Sequence, residues 1–500
     1  MEMLLQGFLG AVHNFATPEL WLIMLVGAII GIIFGVIPGI SGMTALILLL
    51  PFVFKMRPEQ ALPLMVAILS TSFAGGCVSA ILLNVPGVPA NAATLLDGFP
   101  MTQKGEAGRA LGAAQMASGL SHIITAFLTL AIIPVIFPII MAIRFGDMVF
   151  LILLGISFIS VLGSGSMVKG LISGGIGLLI SLVGFQPITS VPRFTFGSLY
   201  LYDGITMVPV ALGLFSVPEM IALATSGGTI ARTKVAIKGI QDVWSGVKDT
   251  FQHWTLVLRS NIIGYIIGIL PGIGGTPAAF ITYGHAKQTS KHPETFGKGN
   301  VEGVIAPESA NNAEEAGALL TTLSLGIPGN APQALLLGAF IILGLVPGPE
   351  MVTKHLDLSL TMIWVMVVTG LMGLAILLPL ASRFAGIALI PGSVLVPLIL
   401  VIAFVSTFAY QQEANDIIAL LVFSMIGLVM RRFDFNRPAL LLAYVLGGLF
   451  EKYLFMALFA SGPLFFVRPI SLILILAIIA VICHEPIKGM FQRRRRVKTV

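Results

Sequence analysis

GIIFGVIPGISG, Gly31 to Gly42, places four glycines and a proline inside an otherwise apolar stretch. Glycine and proline both weaken a helix interior, glycine through backbone freedom and proline through its missing N–H. The stretch recurs as GYIIGILPGIGG at Gly264 to Gly275, identical at seven of twelve positions. Both the break and its repetition need a cause.

The surrounding composition sets the solvent. The 500 residues are 57% hydrophobic and only 10% charged, with a mean hydropathy of +1.00. Runs such as Leu20–Ile37, Leu360–Leu380 and Leu464–Val481 approach or reach the length that crosses a bilayer. A water-soluble chain would lack the polar residues to cover its surface. The sequence therefore predicts an all-α polytopic membrane protein, with about 12 transmembrane helices plus re-entrant or broken helices.

The net charge of +6 does not point to nucleic acid, because the basic residues cluster at loops and ends. No Lys or Arg precedes Lys55, whereas Arg232, Lys234, Lys238, Lys248 and Arg259 share one loop and Lys488, Arg493–Arg496 and Lys498 end the chain. This is the positive-inside pattern, with the final run expected to touch anionic lipid. The N-terminus lacks a basic n-region, so no cleaved signal peptide is expected. Cys77 and Cys483 match no disulfide or metal pattern.

Candidate membrane segments are 20–37, 43–54, 60–84, 108–142, 146–163, 166–184 and 206–225, then 260–281, 316–345, 358–381, 386–410, 414–430, 438–460 and 464–483. The organisation expected is a first unit with scaffold helices (1–225), a basic cytoplasmic loop (226–259), a second unit with scaffold helices (260–484) and a basic tail (485–500). Placing the basic loops in the cytoplasm leaves three segments between 259 and Arg383. An odd count means that one segment, 260–281 or 316–345, fails to cross simply. Arg468 then falls near the outer face, a strain on this topology.

A second Pro-Gly follows each copy of the opening motif: LLNVPGVPANAATLLDGFP, 48 residues after Pro38, and LSLGIPGNAPQALLLGAF, 57 after Pro271. Aligning these places Ser70–Gly76 opposite Asn312–Ala318. The repeating unit is thus two interrupted elements, an internal duplication expected to be inverted. Irregular backbone at membrane depth must be buried in protein or line a polar cavity. Its free N–H end suits a carboxylate and its carbonyl end a cation. The packing alternative is that Gly31/Gly35 and Gly264/Gly268 only bring helices close.

The motifs PGISGMTALILLLPF, AILLNVPGVPANAATLLDGFPM and KGEAGRALG, then PGIGGTPAAFITYGHAKQTSKHPETFGKGNVEGVIAPESANNAEEAG, LGIPGNAP and GLVPGPE, resemble the large membrane subunit of the tripartite tricarboxylate transporters. The likeness in motifs covers about the first 350 residues. It implies a cation-driven secondary transporter of the bacterial inner membrane that imports citrate-like organic carboxylates. It also implies two partners, a small four-helix membrane subunit and a periplasmic solute-binding protein. The chain departs from the family pattern at Gly75-Gly76-Cys77, at Val88 and at Glu314-Glu315, all near the expected pocket.

Residues expected to meet the solute are Pro38, Gly39, Ser41, Asn84, Pro86, Gly87, Asn91, Pro271, Gly272, Gly274, Gly275, Thr276, Pro328, Gly329 and Asn330. Thr44, Ser72, Asn311 and Asn312 are expected to hold the coupling ion, Na⁺ or H⁺; no other cofactor is expected. Glu315 reads as the third residue of a capping box begun by Asn312, Glu308 as a loop carboxylate that either couples to H⁺ or, more often for such an acid, is just solvated, and Glu219 as interfacial. His285 and His292 lack metal-ligand spacing. A channel would also use broken helices. A membrane-embedded enzyme would need an acid/base, nucleophile or metal cluster, and none is apparent.

Overall fold

Each interruption becomes a gap between two helices. The computed structural model describes residues 2–38, 40–53, 55–162, 166–186, 188–225, 242–385 and 390–497. Gly39 lies outside the described residues. Helix α1 (Glu2–Phe15) leads into α2 (Pro18–Val36) and α3 (Gly42–Val53), which flank the first break. The second break separates α4 (Pro58–Leu83) from α5 (Ala92–Gln103) and ends in a tight turn at Pro89–Asn91. Then come α6 (Ala107–Ala142), α7 (Phe145–Leu162), α8 (Met167–Ser181) and a short hairpin of Gly184–Phe185 with Pro192–Arg193. Helices α9 (Met207–Ala211) and α10 (Val217–Thr225) join through a wide turn, and α11 (Val243–Gln252) follows.

The second unit repeats the plan. Helices α12 (Trp254–Ile269) and α13 (Gly275–Thr289) flank one break, and α14 (Glu302–Leu325) and α15 (Ala331–Ile342) flank another. The remainder is α16 (Pro349–Thr353), α17 (Leu356–Ala385), α18 (Gly392–Gln411), α19 (Ala414–Arg432), α20 (Arg437–Ser461) and α21 (Pro469–Val497). Among the described residues, eight helical stretches are long and apolar enough to cross a membrane. Helices α3, α12 and α15 are apolar but too short to cross alone. Residues 242–259, read as loop, are helical, and Asp249 on α11 pairs with Arg109 at 2.5 Å. The basic tail is helical as far as Val497.

Glycine sets the packing within each unit. Helix α2 lies along α4 in the same direction: a β-carbon at Gly31 would meet Ile68 O at 2.4 Å, and one at Gly35 would meet Ser72 O at 2.1 Å. Helix α12 lies along α14 the same way, with Gly264 on Ala310 O (2.4 Å) and Gly268 on Glu314 O (2.1 Å). Gly87 and Gly329, in the second breaks, press on Gly35 O and Gly268 O respectively. The GxxxG pairs thus pack helix bodies, and the residues after them form the breaks.

The ends of these elements show where each begins and returns. Glu19 at the start of α2 accepts from Arg57 Nη2 at the start of α4 (3.1 Å), so α2 and α3 form a hairpin that begins and ends on one side. His253 and Glu302, at the starts of α12 and α14, are 3.2 Å apart, so α12 and α13 form another such hairpin. The odd segment count is thereby explained: 260–281 enters and returns.

The two units point in opposite directions. Gln115 on α6 donates to Ala74 O of α4 (2.9 Å), while Thr125 and Thr129 lie beside Met366, whose carbonyl accepts from Ser70 (3.0 Å). Helix α4 therefore runs against α6. Helix α14 runs with α6, since Ser118 and Ser121 meet Glu308 and Ser309 while Thr125 and Thr129 face Ala316 and Leu319.

Ion pairs hold the scaffold ends. Glu219 accepts from Arg431 (3.1 Å) and Arg437 (2.9 Å). Arg468 pairs with buried Asp147 at 2.5 Å.

Asn84, expected to meet the solute, caps a helix. It is exposed and forms the left-handed cap of α4, with φ of 58°. Gly326, with φ of 68°, ends α14 in the same way. Asparagine here supplies a backbone conformation that only glycine and a few polar residues adopt readily. Asn84→Gly should leave the protein as stable as the parent, whereas Asn84→Ala should cost about 1 kcal/mol; thermal unfolding in detergent measures both.

Candidate functional site

The breaks gather where the two units meet. The amide of Gly272 donates to Gly329 O at 2.7 Å, and Gly87 donates to Gly76 O at 3.2 Å. The start of α13 packs on the Pro89–Asn91 turn, and α15 packs on α3, so each unit's second break meets the other unit's returning helix. Pro38, Gly87, Pro271, Gly272, Pro328, Gly329 and Asn330 are buried here; Ser41, Pro86, Gly274, Gly275 and Thr276 are half-buried. Gly272 holds φ of 82°, and a β-carbon there would strike Ile159 N at 2.6 Å.

Two polar clusters fill the junction, and helix α14 carries both. In the first, the Glu308 carboxylate accepts from Asn91 Nδ2 (2.8 Å) and Thr94 Oγ1 (2.5 Å) on one oxygen, and from Asn311 Nδ2 (3.3 Å) and Ser118 Oγ (3.5 Å) on the other. Asn312 Nδ2 donates to Ser118 Oγ and Asn311 Oδ1. In the second, Asn330 Nδ2 donates to Glu314 (3.2 Å) and Glu315 (2.8 Å), and Gln333 Nε2 donates to Glu315 (2.7 Å). None of these glutamates forms a salt bridge among the described residues.

Three readings therefore change. Glu308 is not a solvated loop acid; it sits inside α14, fully buried. Asn312 and Glu315 do not open a helix, because α14 begins at Glu302 and they lie in its middle. Glu315 is a buried acceptor for Asn330 and Gln333. The four residues expected to share one cation separate into two pairs: Asn311 and Asn312 join Glu308, whereas Thr44 lies on α3 and Ser72 on α4. No hydrogen bond links the pairs among the described residues.

Ser72 instead accepts from the first amide of α3, Gly42 N, at 3.2 Å. At the matching start of α13, a β-carbon on Gly275 would come within 3.2 Å of Glu314 Oε2. Sequence reading missed Thr94, Ser118, Gln333 and Asp97. Asp97 accepts from Gly299 N and Asn300 N, both at 2.8 Å, and from Tyr283 OH at 2.9 Å. It fastens α5 to the approach of α14. Its signal was a lone acid inside the apolar LLDGFP.

The two clusters combine neutral oxygens, amides and carboxyl groups that have no basic partner among the described residues. Among the described residues no group of three or more His, Cys, Asp or Glu is placed to hold a metal.

Comparison with known proteins places this geometry. An uncharacterized 52.8 kDa protein in the TAR-I ttuC' 3' region of Agrobacterium vitis is 33% identical over 477 residues, covering 94% of each chain. A second Agrobacterium vitis protein, from the TAR-II ttuC' 3' region, is 36% identical over 211 residues, 42% of this chain and 87% of the relative. No solved structure matches. Residues 21–442 match the tripartite tricarboxylate transporter TctA family, and the chain belongs to that family.

Proposed function

We propose that this chain is the permease subunit of a tripartite secondary transporter of the inner membrane, importing organic di- or tricarboxylates by cation symport. A periplasmic protein delivers the solute, and a small four-helix subunit completes the membrane complex. The observation that carries this reading is the meeting of interrupted helices from two oppositely directed units around unpaired carboxylates. Free backbone amides at helix starts suit solute carboxylates, and the acid clusters suit the co-transported cation.

We read the two units as an inverted duplication. The offset that relates Gly35 to Gly268 also relates Gly31 to Gly264, and the register of the second elements relates Ser72 to Glu314 and Gly75 to Gly317. Gly75 packs on Ile32 O and Gly317 on Tyr265 O, both at 2.5 Å, so the contacts repeat with the sequence. Such units alternate access by rocking against a scaffold, here α6, α7, α8 and α17 to α21.

Counterflow in proteoliposomes holding both membrane subunits tests the carrier. Labelled carboxylate should exchange against internal unlabelled carboxylate without a net gradient, which a simple pore does not support. Gly272→Ala should reach the membrane yet lose at least about tenfold in exchange, because the added methyl opposes both φ and Ile159. Wild-type exchange by this variant removes Pro271–Gly272 from the path. Glu315→Ala strands the buried amide nitrogen of Gln333 and leaves Asn330 with Glu314 alone, and should cost about 2 kcal/mol in thermal unfolding.

A further inference from the structure

We propose that Glu308, Asn91 and Asn312 form a binding site for one monovalent cation, Na⁺, at the contact between the two units. The inference rests on the symport reading and gives its ion a place. Glu308 is a carboxyl group, a full negative charge when ionised, with no exposed surface and no basic partner among the described residues. Burying such a charge is costly unless something compensates it. The donors around it are neutral: two amides and two hydroxyls.

Orphaned oxygens identify what is missing. Asn91 Oδ1 and Asn312 Oδ1 are buried without a hydrogen-bond partner, although both amide nitrogens are engaged in this cluster. A proton on Glu308 could satisfy one of these oxygens at most. A cation accepts several oxygens at once. Turning the Asn91 amide would present its oxygen to the ion beside the carboxylate, the unpartnered Asn312 Oδ1, Thr94 Oγ1 and Ser118 Oγ. One carboxylate with neutral oxygens balances a single positive charge, whereas divalent ions take more carboxylates.

The neighbours do not compete for this role. On the helices packed around α14, Cys77 lies on α4, His122 on α6, and Tyr265 on α12 is bonded to Thr129. Asp97 is committed to Tyr283 and two amides, Glu314 and Glu315 are bonded to Asn330, and Arg109 is paired with Asp249 and Glu106. The placement makes the ion a tie between units. Asn91 and Thr94 belong to the first unit's break, Asn311, Asn312 and Glu308 to the second unit, and Ser118 to the scaffold. Occupancy thus changes the contact across which the units must move.

The test needs no solute. The full-length chain, purified in detergent, is melted while NaCl replaces choline chloride at constant ionic strength, with tryptophan fluorescence as the readout. Wild-type protein should show a saturable rise in Tm with Na⁺ that choline does not produce. Glu308→Gln, of the same shape, should lose that rise. Glu308→Asp should weaken half-saturation about tenfold, and Glu294→Gln, an exposed control, should respond like the parent. An undiminished response in Glu308→Gln, or no response in the parent, overturns the site. So does stabilisation by acid pH alone, which would assign Glu308 to a proton. If Na⁺ binds as expected but carboxylate exchange is absent, the solute reading fails and the site stands; the opposite result removes only the site.

Discussion

Every unusual feature of this molecule follows from one requirement: backbone that leaves helical geometry at membrane depth must find its hydrogen bonds inside the protein. Four breaks cannot meet that requirement facing lipid. They meet it by facing one another and the helices beside them, as in the bond from Gly272 N to Gly329 O. The glycine-faced contact of α2 with α4, and of α12 with α14, brings the breaks within reach. The junction is therefore crowded with polar groups because the backbone there needs partners.

That crowding explains the composition of α14. Its first fourteen residues, EGVIAPESANNAEE, look like loop by hydropathy, yet every one after Glu302 is buried. Hydropathy scores a helix against lipid, whereas α14 is surrounded by α5, α6, α12 and α13. Its asparagines and glutamates answer neighbouring amides and hydroxyls. A central helix packed on all sides can be polar where a lipid-facing one cannot.

The fold was legible wherever a rule of local chemistry applied. Pro-Gly steps marked the breaks and repetition marked the two units, whereas the basic stretch 242–259, read as loop, is helical. The crossing count even required one segment that enters and returns, which is α12 with α13. What stayed hidden depends on pairs distant in sequence. Glu308 meets Asn91 and Thr94 across more than two hundred residues, so nothing near it in the chain distinguishes a buried acid from a solvated one. Asn84 hid a different property, the left-handed backbone conformation that ends α4.

The two returning helices begin alike in backbone and unlike in charge. A hydroxyl, that of Ser72, meets the first amide of α3; a carboxylate, that of Glu314, lies against Gly275 where α13 starts. The junction is thus chemically lopsided despite its repeated geometry: one returning helix starts against a hydroxyl and the other against a carboxyl group.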